Sequence, residues 1–145
     1  MTIYLATDHA GFELKEKIKK FLTEKGYEVK DLGAFNYDEN DDYPDFVRKA
    51  AEAVANNPEQ SRGVVLGGSG QGEAMVANRY QGVRAAVLYK FDKDIVKLSR
   101  EHNNANILSL GARFLSARKA LKAIELWLAT PFSGEERHKR RVGKF

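Results

Sequence analysis

Short β-rich runs alternate with amphipathic stretches along this whole chain, and no other feature of the sequence restricts the fold as much. "TIYLAT" (2–7) reads as a first strand. Leu14, Ile18, Phe21 and Leu22 follow i, i+4, i+7, i+8 spacing, which predicts a helix over 11–25 ending at Gly26. "YEVKDLG" (27–33) reads as a second strand and the acidic "NYDENDDYP" (36–44) as a loop. Pro44 suits the first turn of the next helix, whose core face is expected to be Phe46, Val47, Ala50 and Val54. "GVVLGG" (63–68) is continuously hydrophobic, as strands buried on both faces are. A helix from Gln71 to Arg79, a strand "VRAAVLY" (83–89), a helix from Asp92 to His102 and a strand "NILSLG" (106–111) come next. A last long helix, Ser116 to Ala129, presents Ala117, Leu121, Ile124 and Leu128 on one face and stops before Pro131.

Strand followed by helix, five times over, predicts an α/β fold with one five-stranded parallel sheet and helices on both faces. The 145 residues suffice for a single domain with a real core, and no repeat or linker divides them. In open sheets of this type ligands bind beyond the carboxyl ends of the strands, where the strand order reverses. Asp8 and His9 lie just past the first predicted strand, and a glycine-rich loop lies just past the third.

That loop, "VVLGGSGQGEAM" (64–75), carries Gly67, Gly68, Gly70 and Gly72 around Ser69. Glycine backbone can approach a ligand closely, and a following helix start presents free N–H groups to an anion. Extra glycine costs about 0.5–1 kcal/mol per residue in entropy, which favours a binding turn over a bare connection. It is not a P-loop, because no Gly-Lys-Ser/Thr follows. Gly70-x-Gly72 begins a dinucleotide fingerprint and Asp92 lies 20 residues after Gly72, but Met75 stands at the third glycine position. Glu73 opens the helix; a helix-start acid ordinarily complements the dipole, while one held beside an anion loop could serve as a base.

The absence of cysteine removes disulfides, thiolate metal sites and thiol nucleophiles, so acid–base chemistry falls to Asp, Glu, His, Lys or Tyr. Asp8-His9 is a titratable pair, although a strand-end Asp is as often an N-cap. His102 can equally be a helix C-terminus histidine. The three histidines, His9, His102 and His138, form no recognised metal-ligand spacing, so a bound metal is not expected. The net charge of +4 is uneven: residues 133–145 hold five Lys/Arg against two Glu, leaving the body nearly neutral. Arg137 and Arg141, at i and i+4, could clamp a phosphate from one helix face, or the tail could be a solvated one or contact nucleic acid. The near-neutral body argues against a broad nucleic-acid footprint. The chain has no run long enough to span a bilayer and no signal-like start, so a cytoplasmic protein is expected.

Taken together, "ATDHAG" (6–11), "DYPDF" (42–46), "GGSGQGE" (67–73), "ANRYQGVRAA" (77–86), "SREHNNANILSLGAR" (99–113) and "ERHKRRV" (136–142) resemble the ribose-5-phosphate isomerase B family, which includes galactose-6-phosphate isomerase subunits. The motifs occur in matching order over nearly the whole chain. The resemblance implies a Rossmann-like three-layer αβα sandwich, a homodimer or tetramer with active sites shared between subunits, and an aldose–ketose isomerase that uses neither metal nor organic cofactor. One branch of the family uses a cysteine base where this chain has Gly67; the other has a glutamate at the Glu73 position. By that resemblance Glu73 is the base, Ser69 and the amides around Gly68, Gly70 and Gly72 hold the enediolate, and His102 or Asp8 opens the sugar ring. Asn103 would contact the same oxygens, Tyr43 would line the pocket, and His9, Arg113, Arg137 and Arg141 would hold the phosphate. The basic tail, 133–145, would reach the neighbouring subunit. A phosphorylated sugar is the implied substrate, ribose 5-phosphate or a hexose 6-phosphate. A non-catalytic nucleotide- or phosphate-binding module is the alternative the loop alone would allow.

Overall fold

A computed structural model describes all 145 residues. Five parallel strands, β1 (Thr2–Thr7), β2 (Glu28–Asp31), β3 (Ser61–Gly67), β4 (Ala85–Leu88) and β5 (Ile107–Gly111), form one sheet in the order β2-β1-β3-β5-β4. Helices α1 (Phe12–Glu24), α2 (Tyr43–Asn56), α3 (Gln71–Ala77), α4 (Lys93–Glu101) and α5 (Ala117–Ala129) cover its two faces, and α6 (Glu136–Val142) ends the chain. The predicted αβα sandwich is therefore the fold.

The two faces have separate cores. Leu14, Ile18 and Leu22 of α1, Val96 of α4 and Ile124 and Trp127 of α5 pack with Ile3, Leu5, Val64, Leu66, Leu108 and Leu110 on one side. Val47, Ala50, Ala51 and Val54 of α2 and Ala77 of α3 pack with Ala6, Val65 and Ile107 on the other. β3 is buried along almost its whole length, as its unbroken apolar run predicts, and Pro44 lies in the first turn of α2.

The departures from the sequence reading have local causes. A 3-10 turn over His9–Gly11 precedes α1, because the Asp8 carboxylate caps the Ala10 N–H. β2 and β4 are four-residue outer strands, shorter than 27–33 and 83–89, since each has a partner on one side only. α3 ends at Ala77, two residues before Arg79, and Phe46 is only half-buried at the edge of its core. The face chosen for α5 is rotated: Ala120, Ala123, Ile124 and Trp127 are buried, while Ala117, Leu121 and Leu128 flank them, because Trp127 takes the centre. The tail is not a solvated extension but carries α6, with His138 turned inward.

Candidate active site

β1 turns outward to β2 on one side and β3 lies on its other, so the strand order reverses between β1 and β3. Their carboxyl ends deliver Asp8 and His9 from one strand and the glycine loop from the other. Gly70 adopts φ 79°, and a Cβ there would meet the Leu110 carbonyl carbon at 2.9 Å, so only glycine turns the chain this closely beneath β5. The turn throws Glu73 back over the end of β3. A Cβ on Gly67 would overlap the Glu73 carboxyl group.

Glu73 is 4% exposed, not the surface acid that a helix start usually carries. Burial holds its carboxyl above the ordinary carboxylate range, and the nearby Asp8 charge adds to this. The amides of Gly70 and Glu73 itself pull in the other direction, so the loop's N–H groups steady the base. Asp8 is raised too, mainly by burial, against its bond from the Ala10 N–H. Around these acids stand His9 and Arg113. His9 is raised by its bond to Asp41 and opposed in part by Arg113, whose guanidinium lies against Gly68. The Tyr43 hydroxyl packs where a side chain on Gly72 would be, and the Ser69 hydroxyl accepts from the Gln71 N–H at 3.3 Å.

Asp8, His9 and Asp41 place one ligand atom each within 4.8 Å of one another. His9 Nδ1 is committed to Asp41 Oδ1 at 2.7 Å and Asp8 Oδ1 to the Ala10 N–H, which is the geometry of a hydrogen-bonded dyad rather than a cation site. The dinucleotide reading loses its acid: Asp92 caps α4 by accepting from the Asp94 and Ile95 N–H groups.

The remaining candidates lie elsewhere. His102 caps the C-terminus of α4 and Asn103 follows it, both at the amino end of β5. Arg113 follows the carboxyl end of that same strand. With about 3.3 Å of rise per residue, the length of β5 puts roughly 15 Å of sheet between the two groups. Arg137 and Arg141 belong with His102, because the His138 ring between them in sequence stacks on His102 at 4.1 Å and 15°. The structure thus divides the predicted site in two: Asp8, His9, Tyr43, Ser69, Glu73 and Arg113 at one end of the sheet, and His102, Asn103, Arg137 and Arg141 at the other.

Three residues of these clusters carry no site role in the sequence reading. Asp41 sits anonymously in an acidic loop, and only the fold brings it to His9. His138 is 3% exposed, and burial followed by the neighbouring His102 lowers its imidazole. Arg100 is 5% exposed and has no carboxylate partner; it donates to the carbonyls of Thr130 and Ala105 and to Asn104 Oδ1. Burial drops its guanidinium to about 10. It ties the His102–Asn103 turn to the segment that launches α6, and Ser133 N–H reinforces the link at the Glu101 carbonyl, 3.1 Å away.

Residues 3–145 match the Ribose/Galactose Isomerase family. A ribose-5-phosphate isomerase B of Mycolicibacterium paratuberculosis is 43% identical over 98% of this chain and 87% of its own length. Among solved structures, the Mycoplasma genitalium ribose-5-phosphate isomerase B with bound ribulose-5-phosphate superposes with a TM-score of 0.94 at 38% identity, over 99% of this chain and 92% of the other. The Thermotoga maritima ribose 5-phosphate isomerase superposes at 0.91 with 45% identity, covering 99% and 95%.

Proposed function

The chain belongs to the ribose/galactose isomerase family, and from that premise we propose that it interconverts ribose 5-phosphate and ribulose 5-phosphate with Glu73 as the base. The observation that carries this reading is the Glu73 carboxyl itself, buried over Gly67 at the strand-order reversal and raised above its ordinary range. A general base is most effective when its pKa approaches the working pH. A site built only to hold a phosphate gains nothing from a buried carboxylate beside it, which weighs against a non-catalytic binding module.

In the open-chain sugar Glu73 removes the proton from C2 and returns it to C1, while a proton passes from O2 to O1. The Ser69 hydroxyl and the loop amides stabilise the enediolate oxygens between the two transfers. His9 and Arg113 hold the phosphate from the same chain, and Tyr43 closes the wall over Gly72. His102, Asn103, Arg137 and Arg141 join this constellation from a second copy, whose opposite sheet end abuts the first. His102 of that copy, or Asp8, opens the furanose ring. No helix is long and apolar enough to cross a membrane.

An isomerase assay over pentose and hexose phosphates, with Glu73→Gln as the blank, tests the reading. Turnover is expected with ribose 5-phosphate and a loss on the order of 100- to 10,000-fold in the variant, the range a positioned base supplies. Binding of nucleotides without turnover of any sugar phosphate would replace the isomerase by the binding module.

A further inference from the structure

One side chain of the acidic loop between β2 and α2 bonds His9 twice. Asp41 Oδ1 accepts the His9 backbone N–H at 3.0 Å and bonds His9 Nδ1 at 2.7 Å. One carboxylate oxygen therefore fixes both the position of the residue and the direction of its ring. Because a carboxylate accepts, Nδ1 carries the proton and Nε2 is the nitrogen left free. Asp41 Oδ2 is buried and has no partner, while the side chain as a whole is 9% exposed. A carboxylate so poorly solvated needs a positive charge beside it, and His9 is the group in contact with it.

We propose that Asp41 is a positioning residue for the substrate phosphate: it grips His9 through Nδ1 and presents Nε2 as a charged N–H donor to the phosphoryl oxygens. The inference rests on the reading of His9 as a phosphate ligand. Its chemistry is that of an ion-paired donor: a neutral imidazole protonated at Nδ1 would turn a lone pair toward the anion, whereas the imidazolium turns an N–H. The groups facing the ring are Asp8, at 4.0 Å from its own turn; Asp41 and the edge-on Tyr37 from the acidic loop; and Arg113 from beyond β5. Asp8 and Asp41 favour the charged ring, Arg113 opposes it, and the direct Asp41 bond is the largest influence.

The test combines Asp41→Asn with His9→Gln and the double variant. The chain's three histidines allow the His9 ring to be followed by proton NMR, with His9→Gln as the assignment. In Asp41→Asn the His9 midpoint is expected to fall toward or below the ordinary value of about 6.5. KM for ribose 5-phosphate should then rise about tenfold near pH 8 but less than about threefold near pH 5.5, with kcat moving less than KM. In the His9→Gln background Asp41→Asn should add no further rise. An unmoved His9 midpoint, or an equal KM rise with His9 already removed, overturns the role of Asp41. If His9→Gln alone leaves KM at the wild-type value, the phosphate-ligand reading of His9 fails instead, and the inference with it. The wild-type titration needs no variant to fold: a His9 midpoint at or below that of an unpaired histidine also overturns the proposal.

Discussion

The carboxyl group of Glu73 occupies the space that a side chain on Gly67 would fill. The relationship follows from the turn at Gly70, which brings the first residues of α3 back over the end of β3. It gives a physical reason why a cysteine at the first position and a glutamate at the second would be alternatives: both would put their reactive atoms in one place. Gly67→Ala is expected to push the carboxyl aside, since the end of a flexible side chain yields more easily than a strand. Displacement of a catalytic group by about 1 Å can cost on the order of 100-fold, so kcat/KM should fall by about that much. Melting should change far less. Near-wild-type turnover in this variant would mean that the observed place of Glu73 is not its working one.

Burial also makes Glu73 a cost to the fold at neutral pH. Its folded-state pKa is raised, so the folded protein binds that proton more tightly than the unfolded chain does. The stabilising contribution is complete below the ordinary Glu value and is lost as pH rises through the raised one. Glu73→Gln resembles the protonated group and should therefore melt higher than the wild type near pH 7.5, with the gap closing toward about pH 4. As the proposed base, the same carboxyl acts only when ionised, so wild-type kcat should fall as pH drops through the raised value. Thermal melts of both proteins across pH, beside a pH–rate profile, check both statements.

Arg100 joins the His102–Asn103 turn to the start of the tail without a carboxylate to balance it. Arg100→Met leaves the carbonyls of Thr130 and Ala105 buried without their donor. An unsatisfied buried acceptor costs about 1–3 kcal/mol, so the melting point should fall by roughly 5–10 °C. Arg100→Lys should rescue little, because a single ammonium cannot reproduce the planar fork. Calorimetric melts of the two variants, with kcat measured below the transition, test this; a fully stable Arg100→Lys would contradict it.

The sandwich was legible because its signals are local. The unbroken apolar run of β3, the Pro44 helix start and the α1 spacing each report the surroundings of a few consecutive residues. The α5 face was misjudged because apolar residues lie on more than one stripe of that helix, and periodicity cannot say which stripe meets the sheet. The candidates of the glycine loop came from residue type and place, and the loop residues, Asp8 and His9 do share one sheet end. The division of the site could not be read so simply. His102 and Glu73 are 29 residues apart in sequence, and their separation depends on strand direction rather than on either residue. Asp41 was hidden among neighbouring acids that a sequence cannot rank; its link to His9 is two contacts, at 3.0 and 2.7 Å, across 32 positions.

Under the proposed function, Glu73 and His102–Asn103, at opposite sheet ends of one chain, act together in sites built from two copies. Glu73→Gln and a His102→Ala, Asn103→Ala double variant should each be nearly inactive. When the two are unfolded together and refolded as a mixture, random pairing in a two-fold dimer restores about a quarter of the sites to fully wild-type composition. Ribose 5-phosphate isomerase activity of the mixture should therefore rise to roughly 25% of wild type, far above the sum of the parents. A mixture no more active than its separate components would place the whole site within one chain and overturn the shared site.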